Sequence, residues 1–258
     1  MPDNALGLLI LGIAAGVLSG MFGIGGGVVI VPVLATLFAF ELRNAIATSL
    51  GALMMPVAIL AVIAYYRAGM LRVMTAVFVS VGLFSGVALG ATIQDALSLG
   101  NLEVLYGIFL LYNSWRFLEP RKLLKLVSGP TTVPDPVMNA PWYLLLGVGF
   151  TAGIISGMFG VGGGLVIVPL LVALLHFDQK VAVGTSLGAL LPPTTIGAVI
   201  NDYNQGLLNV GAAALVAVGL LFGALAGARI TISLPSKTIK QLYGIFLLLV
   251  GLRFLLQL

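Results

Sequence analysis

Long apolar stretches alternate with short polar turns, four in each half of the chain: residues 5 to 40, 44 to 66, 70 to 93 and 101 to 118, then 142 to 177, 181 to 203, 207 to 230 and 238 to 255. Several reach the roughly 20 apolar residues that carry a helix across a hydrocarbon core of about 30 Å. The pattern therefore predicts an all-α polytopic membrane protein with no room for a soluble catalytic domain. Residues 119 to 141 break the rhythm with Glu119, Pro120, Arg121, Lys122 and Lys125, then Gly129-Pro130 and Pro134-Asp135-Pro136. Such a basic, proline-rich segment cannot continue a helix. The expected organisation is a transmembrane repeat over 1–118, a cytoplasmic linker over 119–141 and a second transmembrane repeat over 142–258.

The two halves carry one pattern written twice. Ser19-Gly20-Met21-Phe22-Gly23-Ile24-Gly25-Gly26-Gly27 returns as Ser156-Gly157-Met158-Phe159-Gly160-Val161-Gly162-Gly163-Gly164, 137 residues further on, and Pro32 returns as Pro169. The offset then holds without a gap through Thr48-Ser49 and Thr185-Ser186, Pro56 and Pro193, and Tyr106-Gly107 and Tyr243-Gly244. Because residues 5 to 22 match 142 to 159, the apolar N-terminus reads as part of the repeat. It is not a signal peptide, whose basic n-region it lacks, carrying Asp3 instead.

The first block of each repeat is too long for one crossing. As a single helix its ~35 residues would run about 52 Å, against a core of ~30 Å. Two half-segments hinged at Gly23 to Gly27, as a tight hairpin or a re-entrant loop, fit better, since glycine reaches the positive φ angles a hinge needs. Charge discriminates between the alternatives. If the first block crosses once, Lys and Arg divide seven to five between the two sides. If it folds back, the repeats are inverted and the division becomes ten (Arg67, Arg72, Arg116, Arg121, Lys122, Lys125, Lys180, Arg229, Lys237, Lys240) against two (Arg43, Arg253). The positive-inside rule selects the second arrangement, with both termini outside and about eight to ten membrane segments.

Composition narrows the function. The chain is 60% apolar and 8% charged, with a mean hydropathy of +1.18. Its net charge of +4 comes from basic residues dispersed at block ends, which loop bias explains and nucleic-acid binding does not require. The absence of cysteine excludes disulfides, thiolate metal sites and cysteine catalysis. No paired carboxylates, histidine cluster or nucleophile with a base is in view, so the expectation is a non-enzyme with no cofactor and no metal. The partners expected are a small anionic substrate and membrane lipid, with homo-oligomerisation left open.

Broken segments in two repeats point to a transporter's substrate site. Each hinge precedes an apolar run, so its amides should open a helix and face the cavity, an arrangement that binds anions. The candidate lining is Ser19, Gly23, Gly25, Gly26 and Gly27 with Ser156, Gly160, Gly162, Gly163 and Gly164. Thr48, Ser49, Thr185 and Ser186 open the second blocks; their hydroxyls either donate to a substrate oxygen or bond back to the preceding turn. Pro56 and Pro193 imply a second discontinuity. Gly82, Gly86 and Gly90, with Gly219, Gly223 and Gly227, sit four apart on one face and read as helix packing.

No charged residue is placed at mid-membrane. Glu41 and Asp178, with Arg43 and Lys180, read as interfacial ion pairs or helix caps, and Asp202, beside Asn201 and Tyr203, as part of an exposed loop. His176 is read as interfacial, and Trp115, Trp142 and the Tyr65-Tyr66 pair as aromatic belt anchors.

At the duplicated Gly-x-Gly-Gly-Gly with its trailing Val-Pro, followed by the Thr-Ser segment, the chain resembles the TauE/SafE family of sulfite and organosulfur exporters, also called the toluene sulfonate uptake permease family. The resemblance covers essentially residues 5 to 255. It implies a secondary transporter of small anions such as sulfite, sulfoacetate or related sulfonates, in the cytoplasmic membrane of a prokaryote. Carried onto this chain it marks the eight glycines at 23, 25, 26, 27, 160, 162, 163 and 164, with Thr48, Ser49, Thr185 and Ser186 as companions. The readings in competition are an anion-selective channel and a membrane-embedded assembly partner.

Overall fold

A computed structural model describes residues 4–118 and 140–233, together with 248–249, 251–252 and 255–256. All the described elements are helices: α1 (Ala5–Phe22), α2 (Gly27–Leu37), α3 (Leu42–Met54), α4 (Ile59–Arg67), α5 (Val73–Ala96), α6 (Leu99–Leu118), α7 (Trp142–Phe159), α8 (Gly164–Leu175), α9 (Gln179–Ala189), α10 (Ile196–Asn204) and α11 (Val210–Ser233). Each of α1 to α5 begins 137 residues before its counterpart among α7 to α11 (5 and 142, 27 and 164, 42 and 179, 59 and 196, 73 and 210). Among the described residues four helices, α1, α5, α7 and α11, are long and apolar enough to cross a membrane. The pair α3 and α4, bent by 50° at its break, forms a broken span or a re-entrant loop.

Both breaks fall where the sequence places them. The first block divides at the glycine cluster into α1 and α2. The second stops at Met54, and Pro56 lies in the gap before α4. Proline disfavours the helical region for its predecessor, and Met55 is accordingly extended, with φ −71° and ψ 150°.

The chain divides into two compact units. The larger is built from α1 to α5 and α7 to α11, the smaller from α6 and the described residues near the C-terminus. Within the smaller unit a Cβ on Gly107 would press on Leu255 and on the backbone at Gly251, so the two segments pack at van der Waals distance there.

In the larger unit the closest helix pairs join the two halves of the sequence. Along α1, Gly12, Gly16 and Gly20 lie where any Cβ would strike the backbone of α11 at Val216, Leu220 and Ala224. Gly219, Gly223 and Gly227 of α11 meet the carbonyls of Leu9, Ile13 and Val17 in return. The same meshing joins α5 to α7: Gly82, Gly86 and Gly90 face Leu146, Phe150 and Ile154, and Gly149, Gly153 and Gly157 face Val79, Leu83 and Val87. In both pairs the residue numbers ascend together, so the helices run parallel. Lipid is as apolar as a leucine side chain, so backbone approach and dispersion, which small residues permit, hold such helices together. The third-block glycines therefore pack as expected, and each of their stripes meets a first-block stripe with the same four-residue spacing.

Candidate functional site

The two glycine turns are built alike. Gly23 closes α1 in the left-handed conformation (φ 69°), its N–H donating to the Ser19 carbonyl at 2.7 Å. Gly25 (φ 80°) and Gly26 (φ 89°) then carry the chain into α2. In the second half Gly160 (φ 65°) donates to the Ser156 carbonyl at 2.8 Å, followed by Gly162 (φ 80°) and Gly163 (φ 72°). A side chain at any of these angles would be strained, which accounts for glycine at all six positions.

The turns also touch one another. A Cβ on Gly25 would lie 3.3 Å from Gly162, one on Gly27 would strike the Gly160 carbonyl, and one on Gly164 the Gly23 carbonyl. Position 23 thus meets 164 and 27 meets 160, so the turns cross in opposite directions about Gly25 and Gly162.

Hydroxyls from the second blocks hold this crossing. Ser49 Oγ of α3 donates to the Gly160 carbonyl at 2.8 Å, and Ser186 Oγ of α9 donates to the Gly23 carbonyl at 2.9 Å. Neither serine bonds back to its own preceding turn. Thr48 Oγ1 accepts the Asn209 N–H at 3.3 Å, and Thr185 Oγ1 accepts the Arg72 N–H at 3.1 Å. All four side chains are fully buried.

The Gly23 and Gly160 carbonyls thus accept serine hydroxyls, while four of the amides in the turns are left over. Among the described residues no acceptor is assigned to the N–H of Gly25, Gly26, Gly162 or Gly163. These groups sit at the N-terminal ends of α2 and α8, where the helix dipole adds partial positive charge. Between the turns lies a cavity of about 20 Å³, walled by Ser19, Gly25, Leu53, Val57 and Ala58 from the first half and by Gly162, Leu190, Thr194 and Thr195 from the second. That is space for about one water. Leu53 reaches over Gly162 and Leu190 over Gly25, matching positions of the repeat. Ser156, the counterpart of Ser19, is buried with its Oγ unpartnered.

Sequence reasoning missed Thr194 and Thr195. Their counterparts are Val57 and Ala58, so a pair of hydroxyls enters beside the second-block proline of one repeat only. Thr195 Oγ1 donates to the Leu50 carbonyl at 3.2 Å.

Two expectations are corrected. Tyr65 is not a belt anchor: it is buried in α4 and its hydroxyl donates to the Gly20 carbonyl at 2.9 Å, whereas its neighbour Tyr66 is 64% exposed. Asp202 is not in an exposed loop. It lies in the last turn of α10, 3% exposed, with Oδ2 unpartnered. Each second block is broken beside its proline and the short helix that follows buries one face, which a reading of the block as a single span does not foresee. The helix-cap reading holds for Asp178, whose carboxylate accepts the Lys180 and Val181 N–H groups at the start of α9. Lys180 Nζ reaches the Ile232 carbonyl at 3.3 Å.

Membrane-crossing helices that enclose two pairs of broken segments, meeting at a small polar point, define a membrane transporter. The chain belongs to the TauE/SafE sulfite exporter family, whose model matches residues 8–254. It is similar to a probable membrane transporter protein of Methanocaldococcus jannaschii, 28% identical over 96% of this chain and 94% of that one. It is also similar to the probable membrane transporter protein YunE of Bacillus subtilis, 28% identical over 95% and 94%. The probable membrane transporter protein MamO of Magnetospirillum gryphiswaldense is 25% identical over 98% of this chain but only 45% of its own length. No solved structure matches. Family proteins are named as transporters and not as enzymes, and this chain is a multi-pass transporter of the cytoplasmic membrane.

Proposed function

We propose that the chain is a secondary transporter that moves a small anion, of the sulfite or sulfonate class to which the family name refers, by alternating access between two inverted repeats. One observation carries the anion reading. Two glycine turns bring unpaired amides and two helix N-termini to one buried point, with no carboxylate among the residues lining it. Backbone amides and hydroxyls grip an anion without a fixed cation, which suits release as well as binding. The binding set is Ser19, Gly23, Gly25, Gly26 and Gly27 with Ser156, Gly160, Gly162, Gly163 and Gly164. Ser49 and Ser186 brace the turns from behind, and Thr48 and Thr185, beside them, accept amides at the entries to α11 and α5.

Inversion is supported by helix direction as well as by the ten-to-two charge split. Lys180 and Thr185 of α9 bond near the end of α11 and at the entry to α5 respectively. Asp95, near the end of α5, accepts from Asn201 and Gln205, just before α11 begins. The equivalent helices α5 and α11 therefore run in opposite senses, as inverted repeats require.

The cavity is too small for an oxyanion, so Leu53 and Leu190 must withdraw for one to enter. A closed centre favours a carrier over a continuous pore. The test is a thermal-shift screen of purified protein against sulfite, sulfate, thiosulfate, sulfoacetate and taurine. At least one anion should stabilise the wild type and leave Gly26→Val unmoved. No stabilisation by any of them would reject this reading.

A further inference from the structure

Among the described residues Asp202 is the only carboxylate that is buried, and its Oδ2 has no hydrogen-bond partner. The first repeat shows what its position is for. Tyr65, its counterpart, donates a hydroxyl proton to the Gly20 carbonyl in the last turn of α1, one of the carbonyls a helix end leaves without an amide. The 137-residue relation gives Asp202 the place of Tyr65 in the second repeat, but its side chain is several bonds shorter than a phenol and its Oδ2 meets no hydrogen-bond partner. Buried without a partner, the side chain fits this place as the neutral acid, as the neutral phenol does in the first repeat.

Among the described residues no hydrogen bond to Oδ2 compensates the ionised form. On α5 the charged residue is Asp95, itself negative, whose Oδ2 accepts the Asn201 amide at 3.0 Å and the Gln205 amide at 3.2 Å. Gln94 of α5, buried where the other half has Thr231, is neutral. The helix α7 carries no charged residue, its titratable group being Tyr143 at the far end, and on α10 itself Tyr203 is exposed. From α3, packed against α10, the charged side chain is Arg43 in the first turn. A buried charge without a partner is strongly unfavourable, and the group neutralises instead. Ionisable residues inside a membrane protein are costly and are kept where they do work.

Resting on the transporter reading, we propose that Asp202 is the proton-carrying residue of the cycle, a role that falls on one repeat only. In the closed conformation its buried carboxyl holds a proton. When a rearrangement of α10 opens the site to water the O–H bond breaks, the proton passes to water on that side, and the carboxylate is left solvated. A proton taken from the opposite side restores the closed packing. Proton movement is thereby tied to the same rearrangement that opens the anion cavity, because α10 follows directly on the Thr194-Thr195 wall.

Infrared difference spectra of the purified wild type between acidic and alkaline pH should contain a protonated-carboxyl band that disappears in both Asp202→Asn and Asp202→Tyr, the tyrosine variant restoring the side chain of the first repeat. In proteoliposomes, with sulfite as the probe, a pH gradient should drive net sulfite flux in the wild type. Both variants should keep sulfite exchange at equal pH and lose the gradient-driven component. Absence of the band in the wild type, its persistence in the variants, or gradient-driven flux in the variants would overturn the proposal. So would dependence on sodium in place of the pH gradient. A band at Asp202 in a protein that moves no sulfite would reject the anion assignment while upholding the protonated carboxyl.

Discussion

Ser186 of the second repeat donates its hydroxyl to the carbonyl of Gly23 in the first, at 2.9 Å and a sequence separation of 163 residues. With the reciprocal bond from Ser49 to Gly160, each half of the chain fixes the turn of the other. The turns are thus braced through the Gly23 and Gly160 carbonyls, and no acceptor is assigned to the amides of Gly25, Gly26, Gly162 and Gly163.

Removing either hydroxyl strands a buried glycine carbonyl. Ser49→Ala and Ser186→Ala should each destabilise the protein by about 1–3 kcal/mol. Because the two turns touch, the double variant should depart from additivity. Unfolding midpoints in detergent measure both effects, and unchanged midpoints would mean that the serines do not support the turns.

At the turns themselves, Gly26→Val and Gly163→Val place a β-branched residue at φ angles of 89° and 72° and against Leu220 and Leu83 respectively. The local strain is on the order of 1–3 kcal/mol. Both variants should reach the membrane folded yet transport poorly, as surface expression and flux assays would report. Full activity in both would make these glycines ordinary packing residues.

Leu53 and Leu190 cover the glycines of the opposite turn. Shortening either to alanine opens space above the amides, so Leu53→Ala and Leu190→Ala should raise the rate of anion exchange and weaken discrimination between sulfite and larger sulfonates. Exchange kinetics with the two anion sizes decide this. Slower exchange with unchanged selectivity would place the gate elsewhere.

The meshed stripes separate folding from transport. A Cβ on Gly16 would lie 2.7 Å from the Leu220 carbonyl, so Gly16→Leu should prevent α1 from docking and abolish the monodisperse peak in size-exclusion chromatography. Gly147→Ala and Gly197→Ala meet nothing within 4 Å and should leave stability unchanged or slightly raised. Equal behaviour of all three would contradict the packing described.

Orientation is testable on intact cells with single cysteines at Ser128 and Asn204 and an impermeant maleimide. With both termini outside, position 204 should label and 128 should not. Strong external labelling at 128 would overturn the inverted arrangement. Position 128 lies outside the described residues, so this arm tests the linker independently of the fold.

Much of this architecture is legible in the residue pattern because glycine and proline act locally. The breaks at Gly23 to Gly27 and at Pro56 follow from backbone chemistry that needs no tertiary information. Which helices mesh is not written locally. The stripe on α1 would fit α5 as well as α11, and only the three-dimensional pairing chooses. Thr194 and Thr195 escaped notice for a different reason: agreement between repeats draws attention to identities, whereas these threonines stand where the repeats differ. Tyr65 and Asp202 look interfacial because they close an apolar block, and their burial depends on a bend whose direction the sequence does not encode.

The meshing of α1 with α11 has a consequence for synthesis. Gly12, Gly16 and Gly20 emerge from the ribosome roughly 205 residues before their partners Gly219, Gly223 and Gly227, which at about 5–20 residues per second is a wait of roughly 10–40 s. Throughout that interval the first helix sits in lipid with its backbone bared along one side. A chain stalled or truncated ahead of Val210 is left in that condition permanently, an incomplete surface that membrane quality control can recognise. Assembly therefore closes from the two ends of the polypeptide toward each other, and the last long helix made in the larger unit is the one that secures the first.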